Sequence, residues 1–210
     1  LQAQGGSALL SVQQRLQEAV SNQSGAPKAA AYYGLAYAAK QRNDKSAAQQ
    51  YLQQARQVGV ESAALDSLQI DVYWAQGQTE KAWQLAKQAW AKWPNNQAIA
   101  LDYVEALQKQ GLLEQAIPFL EQRIQQWPQA PRFHQLLAQA LDKRQQPVEA
   151  REAMAQYYIL VGALSSAVDQ LQQARSLSTD FYQQSKLDVQ IRDLRERLER
   201  DRLLLERFKG

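Results

Sequence analysis

GQTEKAWQLAKQAWAKWP, residues 77–94, and GLLEQAIPFLEQRIQQWP, residues 111–128, lie 34 residues apart and follow one plan. Each opens on glycine, places an alanine five residues later and closes on Trp-Pro. The pattern extends in both directions. Ala48, Ala82, Ala116 and Ala150 stand each 34 residues after the last. Four residues beyond each comes Leu52, Ala86, Leu120 or Met154, and twelve before each comes Ala36, Ile70, Val104 or Ala138. Ala55 and Ala89 share a further position, which passes to Arg123 and Tyr157 in the later copies. Asn43, Gly77, Gly111 and Gln145 mark a turn inside each copy, where Gly or Asn suits the left-handed end of a helix. Pro94 and Pro128, each after a tryptophan, stop one helix and open the next.

The spacing predicts two antiparallel helices per copy. Alanine on the second helix lets it approach the first, and larger residues fill the gap to the next hairpin. A single hairpin cannot bury its apolar face, so neighbours stabilise one another. Over residues 29–164 this resembles the tetratricopeptide repeat, whose period is also 34. The expected fold is therefore all-α, a solenoid of about four hairpins with an extra helix and a long C-terminal capping helix. The first copy departs at its exit, where Gly59-Val60 replaces the aromatic-Pro pair. The fourth has Gln145 at the turn and Gly162 where Pro is usual. Its second helix, Val148–Leu160, also reads as the first helix of a further hairpin. Gly162 is then the turn, and Ala167, Leu171 and Ala174 take the second-helix positions on Leu164–Leu177.

Ser178-Thr179-Asp180 breaks that helix, and Asp180 is placed to cap the next, expected over Phe181–Phe208. Charges of both signs fall there at helical neighbour spacing, Asp188 with Arg192 and Glu196 with Arg200 among them. The apolar stripe Leu187, Ile191, Leu194, Leu198 and Leu205 suits a cap over the last hairpin or, alternatively, a helical oligomerisation seam. Leu9, Leu10, Val12, Leu16 and Val20 predict an amphipathic helix over Ala8–Ser21, followed by a loop, Asn22–Pro27. The expected division is residues 1–28 for the leading helix and loop, 29–164 for the repeats, and 165–210 for the extra helix and cap.

A formal net charge of +3 argues against a phosphate-neutralising surface, so no nucleic acid is expected. No run of apolar residues is long enough to span a bilayer, so no membrane insertion is expected. Leu1–Ser7 lacks the features of a signal peptide, and the leading residue suggests a piece of a longer protein. There is no cysteine, and His134 is the single histidine. Zinc needs about four ligands, and a hydrolytic triad needs a base held by a carboxylate. Neither can be assembled from the usual residues, so no catalytic residue, metal or cofactor is assigned. Gln, scattered in runs of at most two, gives a neutral helix exterior.

Binding remains. In tetratricopeptide arrays the first helix of each hairpin lines a groove. Carried onto this sequence, the groove positions are Tyr33, Tyr37 and Lys40; Asp71 and Trp74; Leu101, Glu105 and Gln108; Gln135 and Gln139. The chaperone-tail class of these repeats grips a terminal carboxylate with Lys and Asn. Here Tyr33, Tyr37, Ser67 and Asp71 stand instead, so that ligand is not implied. Tyrosine and tryptophan anchor protein interfaces at low entropy cost. The alternative for each aromatic is packing between helices.

Tyr32-Tyr33-Gly34-Leu35-Ala36, Tyr157–Leu164 followed by Ala167–Ala174, and Phe181-Tyr182-Gln183-Gln184 leading into Leu187–Leu194 resemble a particular bacterial group. That group is the M48 metalloproteases of the beta-barrel assembly-enhancing type. They join a zinc protease domain carrying HExxH to a C-terminal tetratricopeptide domain. HExxH is absent from these 210 residues. The resemblance implies the repeat half of such a protein, non-catalytic, with zinc only in a protease domain outside this chain. It further implies a periplasmic location and a role in outer-membrane protein assembly and quality control. The implied partners are outer-membrane barrel proteins, the barrel-assembly machinery and the protein's own protease domain. The alternative is a cell-envelope scaffold with no protease.

Overall fold

The computed structural model of the chain describes residues 2–207; Phe208 and the side chains of Leu9, Leu10 and Leu205 lie outside the described residues. Among the described residues there are eleven α-helices and no strand. The chain forms two compact units, residues 1–106 and 107–210. The first holds α1 (Gln2–Asn22), α2 (Gly25–Gln41), α3 (Lys45–Gln57), α4 (Ala63–Ala75), α5 (Thr79–Lys92) and most of α6 (Gln97–Lys109). The second holds the end of α6 with α7 (Leu113–Gln126), α8 (Pro131–Lys143), α9 (Pro147–Leu160), α10 (Leu164–Leu177) and α11 (Phe181–Arg207).

Five turns close identically. The residue in the left-handed region is Asn43, Gly77, Gly111, Gln145 or Gly162, with φ between 59° and 78°. Its N–H reaches back three residues, and the next N–H reaches back five, as in Asp44 to Ala39, Gln78 to Tyr73, Leu112 to Leu107, Gln146 to Leu141 and Ala163 to Tyr158. This Schellman closure satisfies helix-end carbonyls without help from side chains. The first four turns are one period apart, and the fifth follows after half a period. The helix between them, α9, therefore serves two hairpins, packing on α8 as a second helix and on α10 as a first.

The repeat alanines occupy the tight places. Ala48, Ala82 and Ala116 are wholly buried, Ala150 nearly so, and Ala167 takes the same role on α10. Ala36, Ile70, Val104 and Ala138, at the matching places of the first helices, are all buried too. Met154 and Tyr157, where the series departs, are only half-buried because α9 turns its small residues Ala150 and Ala155 to its two partners.

Side chains cap several starts. Asp44 Oδ1 accepts from the Ala47 N–H at 2.9 Å, and Asp180 Oδ1 accepts from the Tyr182 N–H at 2.7 Å. The expected loop at Asn22–Pro27 is shorter: only Gln23 and Ser24 lie outside helices. Pro27 falls in the first turn of α2, where its missing N–H costs no intrahelical bond. Leu187, Ile191 and Leu194 of α11 are buried against Val168, Leu171 and Ala174 of α10, with Leu198 packed alongside. Most of the apolar stripe of α11 is thus spent within its own unit, as a cap requires.

Two outcomes follow from this packing. Gln145 sits at φ 61° where Gly77 and Gly111 stand in other turns. Gln145→Gly should raise stability by about 1 kcal/mol, the strain a side chain carries in that region; urea unfolding would show it. Leu187 has no exposed surface. Leu187→Ala should cost about 3 kcal/mol through the cavity it leaves, and an unchanged melting temperature would contradict the cap.

Candidate functional site

In the first unit, α2, α4 and α6 present one face on which charged and aromatic groups meet. Tyr33 and Tyr37, one helical turn apart on α2, stack with ring centroids 6.5 Å apart and planes 18° from parallel. Tyr37 is 46% exposed, while Tyr33 leans on the core formed by Ala36, Leu65 and Leu68. Lys40, a turn further along α2, forms an ion pair with Asp71 of α4. Both are partly open to solvent, so the pair fixes geometry more than it contributes stability.

Beside Asp71 lies a carboxyl that reading the sequence passed over. Asp102 of α6 is pushed up to about 7 by burial first, with the charges of Asp71 and Glu105 adding to the effect. A hydrogen bond from Ser67 and the charge of Lys40 oppose it. Asp102 Oδ2 is enclosed and has no hydrogen-bond partner. Such a group is costly when charged. This face thus gathers Asp71, Asp102 and Glu105 near Lys40.

Other expected groove residues divide between surface and core. Trp74 packs on Ile70, Ala86 and Ile99, so it serves the hairpin core as well as the face. Leu101 and Glu105 of α6 are half-buried. In the second unit Gln108 is not a groove residue: it is buried, and its Nε2 donates to the Leu136 carbonyl at 2.8 Å, tying α6 to α8. Gln135 accepts from Arg132 Nη1 at 2.7 Å, and Gln139 is exposed. Asp66 is likewise structural. Its two oxygens accept from Arg56 Nη2 at 2.8 Å and from Trp93 Nε1 at 2.9 Å. Tyr103 stacks on Trp83 and Trp90 between helices. Among the described residues, no group of three or more His, Asp or Glu is placed to hold a metal ion, and no helix is long and apolar enough to cross a membrane.

The second unit has its own cleft, of about 580 Å³, walled by α7, α8, α9 and α11. Neither Gln135 nor Gln139 lines it. Ile117 and Ile124 of α7, Leu137 and Leu141 of α8, Ala153 of α9 and Leu171 of α10 form its apolar part. His134 stands on the wall, its Nε2 3.4 Å from the Pro128 carbonyl. Burial lowers its pKa below the ordinary imidazole range, against the raising effect of that contact, and it is neutral at pH 7. The separation between Asn43 and Gly162 also maps Tyr33 onto Glu152 and Tyr37 onto Gln156. Both of these face the cleft. The half-period shift in the turns was the signal that could have located it.

The sequence matches the family model of the tetratricopeptide repeat over residues 73–140. No curated protein matches it. Among solved structures, the type IV pilus biogenesis factor PilW superposes with a TM-score of 0.67 at 16% identity, over 91% of this chain and 88% of that one. MamA from Desulfovibrio magneticus RS-1 gives 0.57 at 18%, over 82% and 96%. YrrB, described as a tetratricopeptide protein with an unusual peptide-binding site, gives 0.58 at 17%, over 79% and 84%. At these identities the likeness is one of fold, and the fold is that of tetratricopeptide hairpins.

The buried carboxyl makes a prediction with a definite sign. In the unfolded chain Asp102 titrates near 3.8, and in the fold near 7. The folded state therefore holds a proton that the unfolded state has released, and stability falls as pH rises across that interval. Asp102→Asn should match the wild type at about pH 4 and exceed it at about pH 8 in urea midpoint. Parallel stability curves would show that Asp102 is solvated.

Proposed function

We propose that this chain is the protein-binding half of a periplasmic M48-type metalloprotease, and that it holds outer-membrane β-barrel proteins or their assembly machinery. Tetratricopeptide hairpins are protein-interaction modules, and this chain is built from them. The observation that carries the reading is the face of α2, α4 and α6. There a stacked tyrosine pair, its Tyr37 ring half-exposed, stands beside a cluster of carboxyls, Asp71, Asp102 and Glu105, near Lys40. Such a face suits a polypeptide with apolar side chains and some positive charge. It suits an acidic tail or a phosphate backbone poorly. The finer assignment, to protease and outer membrane, rests on the sequence resemblance at Tyr32–Ala36, Tyr157–Ala174 and Phe181–Leu194.

Truncating an anchoring aromatic at an interface costs about 2 kcal/mol or more. Tyr37→Ala should keep the helical circular dichroism and melting temperature, because that ring is half-exposed, yet weaken capture of a barrel protein about tenfold or more. Photocrosslinking from positions 33, 37 and 71 in a cell envelope is the direct check. Adducts with barrel proteins or their assembly machine support the full reading. Adducts with other envelope proteins alone would move the chain to a scaffold without a protease. Crosslinks only from outer positions such as Gln88 or Gln122 would place the interface elsewhere.

A further inference from the structure

We propose that the cleft of the second unit is a separate docking site, and that its occupant is an amphipathic helix carrying apolar side chains on one face and Lys or Arg beside them. The inference goes beyond the proposed function, because it concerns a different surface with a different chemistry.

The cleft has the size of a site that takes a handful of side chains, within the range of about 300–1,000 Å³ for ligand pockets. Its walls are helices, and among the described residues there is no strand to offer an edge to an extended peptide. A groove between helices with an apolar floor suits helix-in-groove docking. The apolar groups recur at helical spacing: Ile117 and Ile124 on α7, Leu137 and Leu141 on α8. Ile124 and Leu137 are half-buried and so still present surface that an incoming side chain would cover.

The charges of the rim decide the sign of the partner. Both cations are already engaged. Arg144 Nη1 lies 2.8 Å from Glu114, and Lys186 Nζ lies 3.1 Å from Glu152. Glu152 also accepts from Gln183 at 3.3 Å. Glu121 and Glu149 are exposed on the same rim and take no part in these pairs. His134, on the wall, is neutral and adds no compensating charge. The rim therefore keeps a negative excess around an apolar floor. Complementary charge across an interface directs partner choice more than raw affinity, so a basic amphipathic helix is selected over an acidic one with the same apolar face.

The test uses two synthetic 18-residue amphipathic helices with identical leucine faces, one with lysines and one with glutamates on the flanks. Fluorescence anisotropy against the full 210-residue chain should show the lysine helix binding at least tenfold more tightly. Glu121→Lys with Glu149→Lys should reverse or abolish that preference. Ile124→Gln with Leu137→Gln should weaken both helices, with circular dichroism confirming the fold. Tyr37→Ala, on the other unit, should leave this binding unchanged while impairing barrel-protein capture, so either proposal can fail without the other. Equal binding of the two helices, or binding indifferent to the rim and floor variants, overturns the proposal. So does a dimer in sedimentation velocity that the rim variant dissolves, since the cleft would then belong to a second copy of the chain.

Discussion

The fold depends on how closely two helices can approach within a hairpin. Ala48, Ala82, Ala116 and Ala150 on the second helices, and Ala36, Ile70, Val104 and Ala138 on the first, are all buried. A methyl group at the crossing lets the larger residues above and below, such as Leu52 and Leu120, seat fully. A bulkier residue there would force the helices apart and open voids along both. Stability then resides in the contacts between neighbouring helices rather than in any single helix. This is why the short helices, thirteen or fourteen residues in most cases, need no strong intrinsic propensity.

The same constraint explains the half-period shift. A helix that offers small residues on two sides can pair twice. α9 carries Ala150 toward one partner and Ala155, wholly buried, toward the other. Once it acts as a first helix, the positions that bear Tyr33 and Tyr37 on α2 bear Glu152 and Gln156 instead. The chemistry of the exposed face changes from aromatic to polar without any change in the hairpin itself. Glu152 and Gln156 line the cleft beside α9 and α11.

Much of this was legible because packing imposes a period. Turn residues, alanines and Trp-Pro exits recur at fixed intervals, and Gly162 with Ala167, Leu171 and Ala174 announced the extra hairpin. What the period cannot carry is the fate of polar side chains. Gln108 occupies a groove position by register, yet its amide finds the Leu136 carbonyl and is buried there. Trp74 follows the same register but reaches the core cluster around Ile70. Asp102 drew no notice, because its raised pKa comes first from burial and then from the charges of Asp71 on α4 and Glu105, working against Ser67 on α4 and Lys40 on α2. Sequence neighbours such as Leu101 and Tyr103 say nothing of it. Asp66 is the converse case. As a carboxylate near Asp71 it invites a chemical reading, but Arg56 and Trp93 occupy both its oxygens.

These placements bear on what the surfaces can do. A carboxylate already satisfied within the fold offers a partner little, since binding must first break a bond of similar strength. Asp66 and Glu152 are of this kind, and Asp71 partly so. Glu121, Glu149 and the open edge of Tyr37 are different, since a partner would engage them without displacing an internal bond. Binding energy therefore concentrates where the fold has left groups unspent, and on this chain such groups lie at chemically distinct places in the two units. The first presents an aromatic ring beside acids held in part by Lys40, the second an apolar floor ringed by acids. The chain can discriminate between partners on that basis, because the face and the cleft would reward different side chains.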